Sequence, residues 1–435
     1  MRLRSRYDRE ILLLALPALG ALAAEPLYVL VDTAIVGHLG TNQLASLALA
    51  ATVLSTAFTI FNFLTYGTTA QVSRLHGARQ NEAAAALGSQ ALWLALAIGV
   101  VLLALLELTA PVVVSLMGGK DEVKDGAVLY LRISALGAPL FMLASAAQGF
   151  LRGMGDLKTP LYILLAAHTA NAVLELVFVY GFDWGLKGSA WGTVIAQLGM
   201  ALAFFAVQYR AGLERPHPDK IRPLMRIGSE IAVRTTALTG SFLIGSAVLA
   251  RIGAASLGAH QIAFQLWVFL ALVLDAIAIA GQVMVGRMLG AADADGARAA
   301  ANRMIAWSVV VGALFGLLFL ALGDVIPRLF TDDEAVIAKA HEIWPLFVLM
   351  MPFNGAVFAL DGILIGAGDT RFLMWGMLAA AAVYIPIVLL TLHYDWGIVG
   401  VWWGLVALIA VRLVTCAGRF ASSHWALTGA PARLL

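Results

Sequence analysis

Twelve apolar runs, each about the 20 residues that a helix needs to cross a hydrocarbon layer, fall at 11–36, 44–70, 83–106, 126–150, 160–180, 188–208, 227–250, 257–285, 297–322, 338–365, 372–392 and 397–416. Few folds survive that pattern. Lipid offers no partner for backbone N–H and C=O groups, so runs of this kind must satisfy their hydrogen bonds internally, as helices. Composition agrees: 61% of the 435 residues are hydrophobic and 12% are charged, about half the charged share of an ordinary soluble domain. The chain is read as an all-α integral membrane protein with twelve transmembrane helices.

Arg2, Arg4, Arg6 and Arg9 look like the start of a signal peptide, but the run that follows is too long and lacks a small-residue cleavage site. It is read as a retained first helix. With the N-terminus inside, inner segments hold nineteen of the 28 Lys and Arg residues, whereas outer loops hold six: Lys120, Lys124, Lys187, Arg251, Arg328 and Lys339. That bias predicts cytoplasmic termini, and the expected location is the plasma (inner) membrane. The single cysteine, Cys416, excludes a disulfide framework and a cysteine metal cage. No histidines stand at ligand spacing, so no metal site is expected. The net charge of +2 is explained by the inner loops and points to no nucleic-acid partner.

The chain also contains itself twice. Shifted by 213, Ala34–Gly40 falls on Ala247–Gly253, Ser73–Ala78 on Gly286–Ala291 and Gly153–Asp156 on Gly366–Asp369; at 212, Asp183–Gly188 falls on Asp395–Gly400. Six spans per half is an even number, so the halves are parallel repeats about a pseudo-two-fold axis along the membrane normal, the arrangement of transporters that bind substrate between two lobes. The expected organisation is an N-terminal lobe at 1–208, a polar linker with three prolines at 209–225, and a C-terminal lobe at 226–435. Gly153–Asp156 and Gly366–Asp369 are read as helix-ending turns.

The differences between the halves point to function. Asp32 lies in the first apolar run, where a carboxylate costs about 2.5–3.5 kcal/mol on insertion scales unless it is paired, protonated or wet; its counterpart is Gly245. Pro26, six residues earlier, is placed to bend that helix. His168, Asn171 and Glu175 share one face of span five, opposite Ala381, Tyr384 and Val388 in the second half. By depth, Asp32, Asn171, Glu175 and Thr193 lie at similar heights, and Tyr130 can join them. Two carboxyls close together in a poorly solvated site cannot both ionise cheaply, so such a pair takes up and releases a proton. The competing reading is a satisfied polar knot that only holds helices together.

Other buried charges are expected to be secondary. Glu25 can line a cavity or orient the Pro26 bend, and His168 can pack a helix or relay protons. Glu230 and Arg234 stand i, i+4, the spacing of an intrahelical ion pair. Asp275 and Asp361, opposite Asn62 and Gln148 in the first half, can line an aqueous cleft or contribute to a cation site.

The runs Leu16-Pro17, Glu25-Pro26-Leu27, Val31–Gly40 and Leu360–Asp369 resemble the DinF-like branch of the multidrug and toxic compound extrusion (MATE) family, over essentially the whole chain. The resemblance implies two six-helix lobes and export of organic, often cationic, compounds driven by inward proton or sodium flow. It implies no cofactor beyond that coupling ion. It also implies that Asp32, Asn171, Glu175 and Thr193 form the cation-coupling set, with Tyr130 as a further candidate. Two departures stand out: Glu175 takes the place of an Asp found in some relatives, and residues 231–250 lack the helix-seven acid of the NorM-like branch. Protons are preferred to sodium, because nothing in the sequence presents the full oxygen cage that a dehydrated cation wants. Small organic substrates and the bilayer are the expected partners of a monomeric transporter. The alternatives are a lipid-linked saccharide flippase, for which Arg132, Arg234 and Arg412 are the only basic residues within or at the edges of spans, and a membrane-embedded enzyme, for which no nucleophile or metal constellation is found.

Overall fold

The computed structural model describes residues 5–429; Arg2 and Arg4 of the basic N-terminal segment lie outside them. The described chain is helical throughout: α1 (Asp8–Gly37), α2 (Thr41–Ile60), α3 (Phe63–Gly77), α4 (Asn81–Leu116), α5 (Asp121–Ala135), α6 (Ala138–Gly153), α7 (Lys158–Leu176) with a π-helical turn (Val177–Gly181), α8 (Gly185–Ala211), α9 (Pro218–Ile252), α10 (Ala254–Gly290), α11 (Ala294–Ala321), α12 (Val325–Phe330), α13 (Glu334–Gly366), α14 (Thr370–His393) and α15 (Gly397–Ala421). Eleven described stretches are long and apolar enough to cross a membrane, and the α5–α6 pair, bent by 49°, makes a twelfth. Gly137 at the bend and Pro139 at the start of α6 account for that break. The expected span 44–70 is likewise interrupted, at Phe61–Asn62 between α2 and α3. α1, by contrast, continues as one helix through Pro17 and Pro26.

The chain divides into two compact units, Gly20–Gly228 and Met1–Leu19 with Ser229–Ala430. These limits differ from the lobes expected at 1–208 and 226–435 for a local reason at each end. Asp8, at the start of α1, accepts hydrogen bonds from Arg303 Nε at 2.6 Å and Trp307 Nε1 at 2.9 Å, and Glu10 pairs with Arg287. Those contacts hold the first turns of α1 within the second unit. The polar linker is tied to α4 of the first unit: Ser89 Oγ donates to the Gly212 carbonyl, Trp93 Nε1 to the Glu214 carbonyl and Gln90 Nε2 to the Arg215 carbonyl. α1 and α9 each cross from one unit to the other.

Backbone geometry repeats where the sequence repeats. Left-handed φ angles recur at Arg79 and Ala292, Gly155 and Gly368, and Asp183 and Asp395. Close helix crossings recur as well. A side chain at Gly149 would meet the Thr65 backbone of α3, and one at Gly362, its counterpart, would overlap the Ala278 carbonyl of α10. Gly99 lies against Pro139 and its counterpart Gly312 against Met351 and Pro352. In each unit glycine lets two backbones approach, which is how helices associate where lipid is as apolar as the side chains.

This packing makes a stability prediction. Gly362→Ala should cost about 1–3 kcal/mol through overpacking, read as a lower melting temperature in detergent. Gly199→Ala, where no atom lies within 4 Å of the added carbon, should leave the melting temperature in place.

Candidate functional site

α1, α5, α7 and α8 of the first unit bring one polar cluster together. Asp32 on α1 is 6% exposed and Glu175 on α7 has no exposed surface. Ser189 Oγ on α8 donates to Asp32 Oδ1 at 2.8 Å. One turn along the same helix, Thr193 Oγ1 receives Asn171 Nδ2 at 3.2 Å, pairs with the Tyr28 hydroxyl at 3.1 Å and donates to Glu175 Oε1 at 3.5 Å. Tyr130 on α5 is buried beside Asp32, Ser189 and Thr193, and the Asp32 and Glu175 side chains are close neighbours. Two buried acceptors, Glu175 Oε2 and Asn171 Oδ1, receive no hydrogen bond from the described residues. All five residues that the sequence places at one depth therefore meet.

Sequence reasoning passed over Ser189 and Tyr28. Each lies one helical turn from a named residue, Ser189 from Thr193 and Tyr28 from Asp32, so the i, i+4 rule applied to polar residues would have found both.

Beside the cluster lies a cavity of about 510 Å³ whose walls come entirely from residues 21–204. Asp32, Asn171 and Thr193 open onto it, as do Glu25 and an aromatic lining that includes Tyr66, Phe58 and Phe141. Glu25 thus faces the cavity. His168 stacks on Tyr28 with ring centroids 4.9 Å apart and forms part of the wall. Asn62 and Gln148 also line the cavity. Their counterparts, Asp275 and Asp361, belong to the second unit. A volume in this range, mostly apolar with a few convergent polar groups, suits a small organic molecule.

The second unit treats its acids differently. Asp361 is bound by the guanidinium groups of both Arg234 and Arg412. The expectation that it contributes to a cation site gives way to a buried ion-pair network, because two guanidiniums already neutralise the carboxylate. Arg234 reaches across to α13 for that contact, and Glu230 accepts from Thr370 Oγ1 at 2.5 Å. Asp275 on α10 is half-buried. At the position equivalent to Asp32, a side chain on Gly245 would overlap the Tyr384 hydroxyl, and Tyr384 is the counterpart of Asn171. An aromatic ring fills the place of the acid pair.

Tandem helical repeats, one of them enclosing a buried acid pair beside an aromatic-lined cavity, define a multi-pass membrane transporter. The MatE family description matches residues 17–177 and 231–390, one stretch in each repeat, and the chain belongs to this family of MATE transporters. It is 29% identical over 431 residues to Protein DETOXIFICATION 44, chloroplastic, of Arabidopsis thaliana, covering 95% of this chain and 82% of that one. It is also 29% identical over 435 residues to DNA damage-inducible protein F of Escherichia coli (strain K12), covering 96% and 93%. A MATE crystal structure in the bent conformation superposes with a TM-score of 0.88 over 96% of both chains at 20% identity, a likeness of fold.

The ion-pair network makes a prediction of its own. Asp361→Asn should lower stability by about 3 kcal/mol or more, the cost of taking away the one carboxylate that two buried guanidiniums share, seen as a lower melting temperature in detergent. An unchanged melting temperature would mean that the two arginines do not depend on Asp361.

Proposed function

We propose that the protein exports small organic, often cationic compounds in exchange for protons, using Asp32 and Glu175 as the coupling pair. The closeness of the two carboxyls, held one turn apart on α8 by Ser189 and Thr193, carries this reading: neighbouring acids in a low-dielectric lobe compete for a proton, and one bound proton relieves their repulsion. Glu175 Oε2 and Asn171 Oδ1 are acceptors left for an incoming cation. A proton suits the cluster better than sodium. Thr193 Oγ1 and Asp32 Oδ1 are already engaged by Tyr28, Asn171 and Ser189, whereas a dehydrated metal cation needs several free oxygens at once. Protonation asks for one.

The cavity wall supports an organic substrate, with aromatic rings for its apolar body and Glu25 for a positive group. Relatives point the same way: Multidrug resistance protein PmpM of Pseudomonas aeruginosa is 27% identical over 98% of this chain. The flippase alternative needs arginines for a pyrophosphate. Arg132 instead lies 3.5 Å from Glu107, and Arg234 and Arg412 are engaged by Asp361.

In liposomes containing the purified protein, an imposed pH gradient should drive export and a sodium gradient alone should not. Asp32→Asn, nearly isosteric but unable to titrate, should reduce pH-driven export by about 100-fold or more, the scale at which general acid–base groups act, while the melting temperature stays in place. Wild-type export by Asp32→Asn would remove the residue from the mechanism, and sodium-driven export would replace the proton.

The proposed orientation, with both termini in the cytoplasm, can be read by labelling, because the native Cys416 is buried. In intact cells an impermeant maleimide should label the Lys120→Cys variant and leave the Arg79→Cys variant unlabelled. The opposite pattern would invert the topology.

A further inference from the structure

The offset between the repeats falls by one residue, from 213 at Gly155 and Gly368 to 212 at Asp183 and Asp395. One extra residue therefore lies between positions 155 and 183 of the first repeat. The structure shows where it is. The Phe182 N–H bonds the Val177 carbonyl, five residues back, whereas its counterpart Tyr394 bonds Leu390, four residues back. The Trp184 N–H reaches Phe178, six back, and its counterpart Trp396 reaches Thr391, five back. The additional residue is absorbed as the π-helical turn Val177–Gly181, which begins two residues after Glu175. α14 of the second unit remains α-helical through His393. Single-turn π-bulges in otherwise α-helical spans are frequent at functional sites.

The turn changes where Tyr180 points. Its hydroxyl donates to the Ile35 carbonyl at 2.6 Å. Ile35 lies three residues beyond Asp32, in the last turn of α1, where carbonyls lack intrahelical donors. The Leu39 N–H, which would reach Ile35 if the helix continued, bonds Val36 instead. In the second repeat the residues aligned with Tyr180 at the two offsets are His393 and Leu392, and neither brings a hydroxyl. The same segment lies tightly on α8. A side chain on Gly188 would meet the Phe178 backbone at 2.8 Å, and one on Gly192 would meet Glu175 Cγ at 3.1 Å. The ends of the helices that carry the two acids are thus joined by one hydrogen bond that exists only in the repeat with the acids.

We propose that Tyr180, aimed by the extra residue of the π-helical turn, is a positioning residue for the coupling pair: its hydroxyl caps α1 at Ile35 and thereby sets Asp32 against Glu175. The proposal rests on the coupling role given to that pair above. Titratable groups facing the pair are Tyr28 on α1, Tyr130 on α5 and, behind Tyr28, His168 on α7; α8 contributes the hydroxyls of Ser189 and Thr193. Tyr180 is outside the set of described residues that line the cavity. It acts through α1.

The test is labelling of buried carboxyls by a hydrophobic carbodiimide, which reacts with the protonated acid, followed residue by residue by mass spectrometry as pH is varied. It needs no substrate. Tyr180→Phe keeps the ring, which is 47% exposed, and removes the donor. It should displace the midpoint of labelling at Asp32 and Glu175 by about half a pH unit or more, the size one lost hydrogen bond produces, with the melting temperature unchanged. Deletion of Val177, which restores the α-helical count, should displace it in the same sense. Unchanged labelling in Tyr180→Phe would overturn the proposal whatever the deletion does. A separate control reads the parent hypothesis: Asp32→Asn should alter the labelling profile of Glu175. If it does not, the coupled pair fails, and that failure is distinct from failure of the cap.

Discussion

Glu175 can be buried beside Asp32 because α7 and α8 approach at their backbones. Gly188 and Gly192 give that approach room, with Gly192 lying against the Glu175 side chain itself. Larger residues at either position would push the helices apart and let the acid find water or lipid. The polar cluster depends on the same contact, since Ser189 and Thr193 alternate with those glycines along α8 and supply the partners for Asp32 and Glu175. Close packing without side chains and a line of hydroxyls are two uses of one short segment, Gly188–Thr193.

The two repeats show how one framework supports unlike interiors. Glycine crossings and left-handed turns recur nearly position by position, so the backbone scaffold is shared. The contents are not. Where the first repeat has Asp32 and Asn171, the second has Gly245 and the Tyr384 ring against it; where the first has Gln148 on a cavity wall, the second has Asp361 neutralised by two arginines. An ion pair of that kind is costly to break and gains little over apolar packing. It suits an element that keeps its place.

Much of the candidate site was legible in the sequence because depth along a membrane helix follows from counting residues. Asp32, Asn171, Glu175 and Thr193 could be set at one level from span direction alone, and they meet. The charges of the second half were less legible. The i, i+4 spacing of Glu230 and Arg234 said nothing of Asp361, which lies on α13, or of Arg412 on α15. Helical spacing specifies neighbours within a helix and is silent about which face meets another. Ser189 and Tyr28 lay within reach of the same spacing rule, and the linker's attachment to α4 through Ser89, Gln90 and Trp93 did not.

By itself, the sequence determined the membrane class, the all-helical architecture, the duplication and the presence of acids in one repeat only. Each of these follows from local hydropathy or from self-comparison, because a bilayer forces every span to satisfy its own backbone. Tertiary structure decided the rest: that the two acids are brought to neighbouring hydroxyls of α8, that Asp361 is occupied by arginines, that the first turns of α1 belong with the second unit through Asp8 and Arg303, and that one surplus residue becomes a π-helical turn carrying Tyr180 to α1. Those outcomes depend on which helix faces pack together, and side chains from distant parts of the chain settle that choice only once the bundle has formed.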